Sequence, residues 1–200
     1  MTQIPFSRVR HLRLVVLPAL VAVGLSACQF GEKKIQFTEE VQFASGETVK
    51  VDRSIRGKAL REIGGPGGWE PTYMSLDITA RKTPDAPPKW ESFDGLLPIL
   101  FDRDSNNGEW ALLATFYTCE PWYQLGRPKL PYAEFRVRNG QWQRVDLSSQ
   151  WLGREANVFT GMKSSGEPKL LTLAEKKRRN SDPAIAREYL KIVDHWSTGC

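Results

Sequence analysis

The sequence has few of the residues on which enzymes most often rely. Its 200 residues include only two histidines, His11 and His195, and three cysteines, which form no CxxC spacing. Neither a multi-histidine metal site nor a dithiol redox motif is therefore expected. The chain also lacks a run of about 20 apolar residues, the length that a transmembrane helix needs. Residues 12–27 come nearest, but Arg13 and Pro18 interrupt them, so an uncleaved membrane span is the weaker interpretation.

Catalytic motifs are missing as well. The sequence contains no GxSxG nucleophile elbow and no HExxH zinc motif, and the glycine run at residues 64–68 lacks the Gly-Lys-Ser/Thr ending of a phosphate loop. Asp194 and His195 are adjacent, so on a helix their side chains point about 100° apart and form no orienting pair. Glu39 and Glu40 alternate across a strand, without an evident partner. The sequence favours a non-catalytic protein, with a hydrolase that uses two distant carboxylates as the alternative.

An apolar run behind three arginines ends in a motif that resembles the lipobox of bacterial lipoproteins. The positive n-region contains Arg8, Arg10 and Arg13, residues 14–23 form a short apolar h-region, and the motif is Leu25-Ser26-Ala27-Cys28. The resemblance implies that residues 1–27 are a signal peptide and that Cys28 carries a diacylglyceryl thioether and an amide-linked acyl chain. Several acyl chains anchor a protein stably, because each buried methylene contributes about 0.8 kcal/mol.

The same resemblance predicts where the mature protein resides. An aspartate directly after the lipidated cysteine resembles the inner-membrane retention signal of enteric-type bacteria. This chain has Gln29 at that position instead, which favours the periplasmic face of the outer membrane. Residues 28–35 are expected to form the lipidated N-terminus and a short tether, and residues 36–200 a single β-rich periplasmic domain. Without residues 1–27, the chain has 25 basic and 23 acidic side chains, and this near balance gives no indication of a nucleic-acid partner.

Once Cys28 is committed to lipid, Cys119 and Cys200 are the remaining cysteines. In an oxidising exported location they are expected to form a disulfide, with two free thiols as the alternative. Closing a loop of about 80 residues contributes on the order of 4 kcal/mol in the chain-entropy account. The bond would also hold a C-terminal tail that otherwise frays.

Two segments predict β-hairpins, and two continuous apolar runs predict central strands. The first hairpin turns at Gly46, and the second turns at Asn139-Gly140, a pair that supplies the positive φ angles of a type I′ turn. Residues 96–101 and 110–117 are apolar throughout, as expected of strands buried on both faces. The expected fold class is α+β: a mainly antiparallel β-sheet domain with one or two C-terminal helices.

The second hairpin and the tail carry many basic residues. If the hairpin register follows the turn, its arginines share one face and its apolar residues the other: Arg136, Arg138 and Arg144 against Phe135, Val137, Trp142 and Val145. A solvated sheet face is the favoured interpretation, with an acidic partner or lipid headgroups as the alternative.

In the tail, Thr172 and Glu175 form a capping box before the basic residues 176–179. Asp182-Pro183 predicts the start of a second helix, whose apolar face would contain Ile185, Tyr189, Ile192, Val193 and Trp196.

The segment between the two apolar runs has oxygen-bearing side chains at alternate positions. Asp102, Asp104 and Asn106 resemble the first half of a calcium loop. However, position six is Asn107 rather than glycine, and position twelve falls on Leu113 rather than glutamate. A tight turn between strands uses the same residue types. The turn is therefore favoured, no cofactor is expected, and calcium is the alternative.

An aromatic pair follows Cys119 and is the candidate partner-binding site. Trp122 and Tyr123 are expected to form a surface patch that binds an envelope protein. The segment from Glu40 to Gly46, the glycine-rich break before Trp69 and the later cysteine resemble envelope lipoproteins of proteobacteria that have no assigned activity; this resemblance transfers no functional residue. The sequence thus favours a membrane-anchored, non-catalytic binding module of the assembly, inhibitor or immunity type. A hydrolase acting on wall or glycan and a structural envelope component are the alternatives.

Overall fold

The computed structural model describes residues 33–60, 68–78, 85–116, 118–161, 169–197 and 200. All of them belong to one compact unit, Glu32–Cys200. The predicted signal peptide, the predicted lipidation site Cys28 and most of the glycine run lie outside the described residues, so their interpretations stay predictions. Among the described residues, strands predominate, which confirms the expected fold class. Neither α-helix in this part of the chain has the length and apolar character of a membrane span.

The strands form two sheets. The first contains β1 (Lys33–Gln42), β2 (Thr48–Leu60), β3 (Gly68–Ile78), β4 (Trp90–Ser92) and β9 (Leu170–Leu171), in the spatial order β4-β3-β2-β1-β9. The second contains β5 (Leu96–Arg103), β6 (Trp110–Phe116), β7 (Ala133–Arg138) and β8 (Gln141–Val145), in sequence order. All strand pairs are antiparallel except β1 with β9, which is parallel.

Both predicted hairpins are present. Gln42 pairs with Thr48 across the first turn, where Gly46 has φ 88°. Arg138 pairs with Gln141 across the second, where Asn139 and Gly140 have φ 53° and 71°. Two consecutive positive φ angles define the type I′ turn that the Asn-Gly pair predicted.

Strands β5 and β6 of the second sheet are buried on both faces, as their continuous apolar runs predicted. On one face, even-numbered β6 residues such as Leu112 and Ala114 pack against the first sheet, in a core that includes Val41, Ile55 and Trp90. On the other face, odd-numbered residues pack under the C-terminal part of the chain; this cluster contains Ile99, Leu100, Ala111, Leu113, Tyr132, Trp151 and Ile192. The second sheet is thus the middle layer, between the first sheet and a covering segment.

The C-terminal part confirms one predicted helix and corrects the other. Helix α2 (Leu173–Asn180) begins at the predicted cap, where the Thr172 side chain accepts a hydrogen bond from the Glu175 amide. The second helix is absent from the tail as far as it is described: only a short 3-10 turn, Arg187–Tyr189, occurs there. The Ile192 amide donates to Arg154 O, and its carbonyl accepts from Gly153. The apolar tail residues are therefore held in irregular backbone by bonds to a distant segment rather than by helical bonds.

Candidate functional site

The disulfide fixes the position of a short helix at the end of the middle sheet. Cys119 and Cys200 are bonded, with 5.4 Å between their Cα atoms, which confirms the predicted pairing. Cys119 begins helix α1 (Cys119–Gln124), shortly after β6 ends. The bond therefore ties the last residue of the covering tail to the middle sheet across 81 positions.

Helix α1 carries the predicted aromatic pair, but its two members differ in exposure. Trp122 is half-buried against the core, and its indole Nε1 donates to Pro128 O at 3.1 Å. Tyr123 is 45 % exposed, and its hydroxyl donates to Cys200 O at 3.1 Å. The Arg127 guanidinium lies 5.2 Å from the centre of the Tyr123 ring. Tyr123 is thus the surface residue of the pair, while Trp122 mainly supports the helix.

A cavity of about 190 Å³ opens beside this helix, and we call it the α1 pocket. Its apolar wall comes from three regions of the chain: Leu96 of β5, Pro121 and Leu125 at α1, and Phe135 of β7. The polar residues that line the same cavity are Asp94, Gln124 and Arg144. An apolar cavity with a few polar groups is the usual form of a site that receives one apolar side chain or ligand group.

The surroundings of the α1 pocket are ordered by specific contacts. The Arg144 Nη2 donates to Leu125 O at 3.0 Å, which joins the edge strand β8 to the end of the helix. On the opposite side, the loop between β4 and β5 passes close to the helix: a Cβ placed on Gly95 would lie 3.4 Å from Pro121 Cγ. In that loop Phe93 is 67 % exposed, next to the pocket residue Asp94. The Phe93 ring packs against Tyr73 of the first sheet, with 5.1 Å between the ring centres, so the polar border of the pocket consists of Asp94, Gln124 and Arg144.

The position of Arg144 corrects the expected division of the hairpin faces. Arg144 pairs directly with Phe135, and directly paired residues project to the same face of a sheet, so Arg144 lies on the Phe135 face. Arg136 pairs with Gln143 on the other face, and it is only 5 % exposed. The hairpin therefore has no continuous solvated basic face: Arg136 is buried, and Arg144 lines the α1 pocket.

The candidate calcium loop forms a tight turn whose carboxylates already have partners within the chain. The Asn106 amide donates to Asp104 Oδ1 at 2.8 Å, and the Gly108 amide donates to Asp104 O at 2.8 Å. Asp102 Oδ2 accepts from Arg154 Nη2 at 2.5 Å and from the Ala44 amide at 3.0 Å. Calcium binding at these carboxylates would require the displacement of their arginine partners.

Arg136 holds the Asp104 carboxylate in a buried ionic cluster. Its Nη1 donates to Asp104 and its Nε to Glu134, both at 2.5 Å, and the guanidinium lies 5.5 Å from the centre of the Trp151 ring. Burial raises the pKa of Asp104, but bonds from the Asn106 amide, Gln150 and Arg136 together lower it to about 2. The carboxylate is therefore ionised and fully engaged, which is the arrangement of a structural cluster.

A second ionic cluster lies between the sheets, and the sequence analysis missed it. Arg53 Nη1 donates to Glu39 Oε1 at 2.5 Å, and both side chains are fully buried. Lys176 of α2 donates to Glu39 Oε2 at 3.2 Å, and burial lowers the pKa of this lysine. Glu39 thus does have partners. Its position between Phe37 and Val41, on the buried face of β1, was the sequence feature that could have predicted its burial and its need for a cation. The cluster attaches the tail helix to the first sheet.

The described residues do not form a recognised metal site. No group of three or more His, Cys, Asp or Glu side chains in this part of the chain is arranged to hold a metal ion. His195 is exposed and lies outside any helix. The α1 pocket therefore remains the candidate site on which the proposal below depends. No family model, curated protein or solved structure matches this chain.

Proposed function

We propose that this protein is a lipoprotein, anchored at the periplasmic face of the outer membrane through Cys28, whose β domain binds another envelope protein without catalysing a reaction. The sequence motif at Cys28 supports the anchor. The Cys119–Cys200 disulfide supports an exported location, because such bonds persist in oxidising compartments.

The observation that carries the binding role is the α1 pocket, an apolar cavity whose lining residues Asp94 and Gln124 each follow an exposed aromatic residue in the chain. Among the described residues, three large hydrophobic side chains are exposed: Phe93, Tyr123 and Leu170. Phe93 and Tyr123 each directly precede in the chain a residue that lines the pocket, Asp94 and Gln124 respectively. Aromatic residues around a desolvated pocket are typical of the energetic centres of protein interfaces. A partner that inserts one apolar side chain into the pocket would lie next to the segments that carry Phe93 and Tyr123.

The position of the anchor restricts where that partner is found. Strand β1 begins at Lys33, five residues after Cys28. A fully extended chain spans at most about 3.6 Å per residue, so the first strand begins within about 18 Å of the lipidated residue. The partner is therefore expected close to the membrane surface, either in the membrane or docked against it.

The proposal is tested by site-specific photo-crosslinking in cells. A crosslinking residue at Phe93 or Tyr123 of the full lipidated chain should capture one protein in stoichiometric yield. The same residue at Leu170, which is exposed away from the pocket, is the matched control and should capture little of it. Cys28→Ser removes the anchor and should reduce the capture strongly.

Two variants separate binding from folding. Phe93→Ala and Tyr123→Ala remove exposed rings, so each should lower capture at least tenfold while the melting temperature changes by no more than a few degrees. Equal capture from all three crosslinker positions, or capture of wall glycan alone, would contradict the proposal and favour a hydrolase or a structural component.

A further inference from the structure

The middle sheet has two edges, and the described residues cover one of them. At the β5 edge, the Val158 amide donates to Ile99 O at 3.1 Å. The Asn157 side chain accepts from the Phe101 amide at 2.9 Å and donates to Phe101 O at 2.8 Å, so it takes the place of a neighbouring strand. The other edge is β8, and no residue in the described part of the chain pairs with its outer side.

The register of the β7–β8 hairpin shows which backbone groups of β8 face outward. Arg138 and Gln141 flank a two-residue turn, so they form a hydrogen-bonded pair, and such pairs alternate along antiparallel strands. Every second residue after Gln141 therefore also bonds to β7 through its backbone. The amide and carbonyl groups of Trp142 and Arg144 point the other way, and they are the hydrogen-bonding groups that this edge offers.

Strand β8 lacks the features that usually protect the edge of a sheet from pairing. Protected edges are very short, or they carry lysine, proline or a bulge. The edge strands of the first sheet are short, because β4 has three residues and β9 has two. In contrast, β8 has five residues, Gln-Trp-Gln-Arg-Val, with neither lysine nor proline, and its register with β7 has no shift. This edge can therefore pair with another strand.

A second copy of β8 fits this edge best in one antiparallel register. Outward-facing residues must lie opposite outward-facing residues, so the register is centred on Trp142, Gln143 or Arg144 or further along the strand. A centre at Arg144 places two arginines directly opposite each other, which is destabilising. A centre at Trp142 places Arg144 opposite Gly140 in the turn of the other copy, and centres further along pair still fewer residues. A centre at Gln143 pairs every residue of both strands.

The register centred on Gln143 also matches the side chains. It places Arg144 of each copy opposite Trp142 of the other, and a guanidinium beside an indole ring is an attractive pair. In the same pairs, the outward backbone groups of both strands exchange hydrogen bonds. The two Gln143 side chains, which are exposed, lie opposite each other, and each amide has both a donor and an acceptor for its counterpart. Charge and hydrogen bonding thus favour the same register.

We infer that two copies of this protein pair through β8 and form one continuous antiparallel sheet, in the order β5-β6-β7-β8 of one copy and then β8-β7-β6-β5 of the other. The two-fold axis passes through the Gln143 pair, perpendicular to the sheet. Each copy uses the same surface in such a contact, so the assembly closes as a dimer and does not extend into a fibre. This inference goes beyond the proposed function and depends on neither the lipid anchor nor the partner of the α1 pocket.

The test is a disulfide bond at the two-fold axis. Opposite residues of a non-hydrogen-bonded pair have Cα atoms about 4.5 Å apart, which lies within the range of a disulfide. The full chain with Gln143→Cys, oxidised in intact cells with copper phenanthroline, should therefore give a dimer on a non-reducing gel. Gln141→Cys is the matched control, because it is also exposed on β8 but would lie about 13 Å along the strand from its counterpart. It should give at least tenfold less dimer.

The unsubstituted chain is the baseline of this experiment, because it shows any crosslink that forms through Cys28. Dimer from Gln143→Cys well above that baseline and above Gln141→Cys supports the inference. Three results would overturn it: no dimer from Gln143→Cys, equal dimer from both variants, or a crosslink from Gln143→Cys to a different protein. The last result would assign the β8 edge to a partner instead of a second copy.

A second pair of variants tests the register without a covalent bond. Gln143→Glu places two carboxylates directly opposite each other, so it should raise the dissociation constant of the dimer at least fivefold in sedimentation at low salt. Gln141→Glu would lie opposite Val145 of the other copy and should change it less than twofold. Equal dissociation constants for the two variants, or an unsubstituted chain that stays monomeric at every concentration, would contradict the inference. Tyr123→Ala, a variant of the proposed protein interface, should leave the dimer unchanged, so the two proposals fail separately.

Discussion

The two sheets differ in how many of their faces are covered. Strands β5 and β6 of the middle sheet are buried on both faces, with the first sheet on one side and the C-terminal segment on the other. The first sheet buries one face of β1 and β2 and leaves polar residues such as Lys34, Gln36 and Asp52 exposed on the other. Side chains of β5 and β6 are therefore constrained by close packing on both sides, whereas side chains on the open face of the first sheet are not. The comparison predicts that substitutions in the middle sheet cost more stability than substitutions on the open face of the first sheet.

The disulfide should have the largest effect on this contrast, because it holds the covering segment on the middle sheet. Replacing both Cys119 and Cys200 by serine should lower the free energy of unfolding by about 4 kcal/mol. Hydrogen exchange should increase in β5 and β6 more than in β1 to β3. Cys28→Ser, which removes a cysteine outside the bond, is the control for thermal melting. Equal melting temperatures for the double variant and this control would contradict the prediction.

Removal of the Arg136 charge should lower the free energy of unfolding almost as much as removal of the disulfide. Arg136→Met leaves the buried Asp104 and Glu134 without their cation, and breaking a buried ionic group in this way costs about 3–5 kcal/mol. Arg138→Met is the matched control, because that side chain is 54 % exposed and pairs only with Glu109 among the described residues. Its loss should cost less than about 1 kcal/mol. Chemical denaturation of both variants measures the difference, and similar values would show that the cluster is not structural.

A core substitution tests the covered face directly. Leu113→Ala removes a fully buried side chain between the middle sheet and the covering segment, so the free energy of unfolding should fall by about 3 kcal/mol. Ser54→Ala, on the open face of the first sheet, should change it by less than about 0.5 kcal/mol. Thermal melting of the two variants measures both values. A larger effect at Ser54 than at Leu113 would reverse the comparison between the sheets.

Acid should have the smallest effect, and it acts through the ionic cluster. The pKa of Asp104 is about 2 in the folded chain and near 3.8 when unfolded. A lowered pKa stabilises the fold above the unfolded value, and this contribution is lost as the pH falls from about 4 through 2. It amounts to about 2 kcal/mol. Asp104→Asn should make the loss of stability over this interval shallower; an unchanged slope would exclude Asp104 as its source.

Local patterns in the sequence predicted much of the sheet structure. The Asn139-Gly140 pair determines its own turn through positive φ angles, and the apolar runs around residues 96–101 and 110–117 have no polar face to expose. Both signals depend on the residues of one short segment, so contacts with distant segments do not change the structure that they predict. Cys119 and Cys200 were predictable as a pair because the only other cysteine was assigned to lipid.

The remaining features depend on contacts between distant segments. The tail was predicted to be helical from its apolar spacing, but the Tyr132 hydroxyl binds the carbonyls of Glu188 and Lys191 and accepts from the Val193 amide. These bonds replace the helical ones. The α1 pocket also combines residues from four separate parts of the chain, so only its Tyr123 border was visible in the sequence. Trp122 was predicted to lie on the surface, but it is half-buried and packs between helix α1 and the core.

The parallel pairing of β1 with β9 has a consequence for the order in which the chain folds. Thr38 lies beside Leu170, so the first strand of the domain is completed by one of the last. Until that later segment is in place, β1 presents an open edge, and open edges pair readily with other chains. Such nonlocal pairing is also slow to form. The interval in which the folding chain is most prone to aggregate therefore lasts until Leu170 reaches the sheet beside Thr38 and helix α2 follows it.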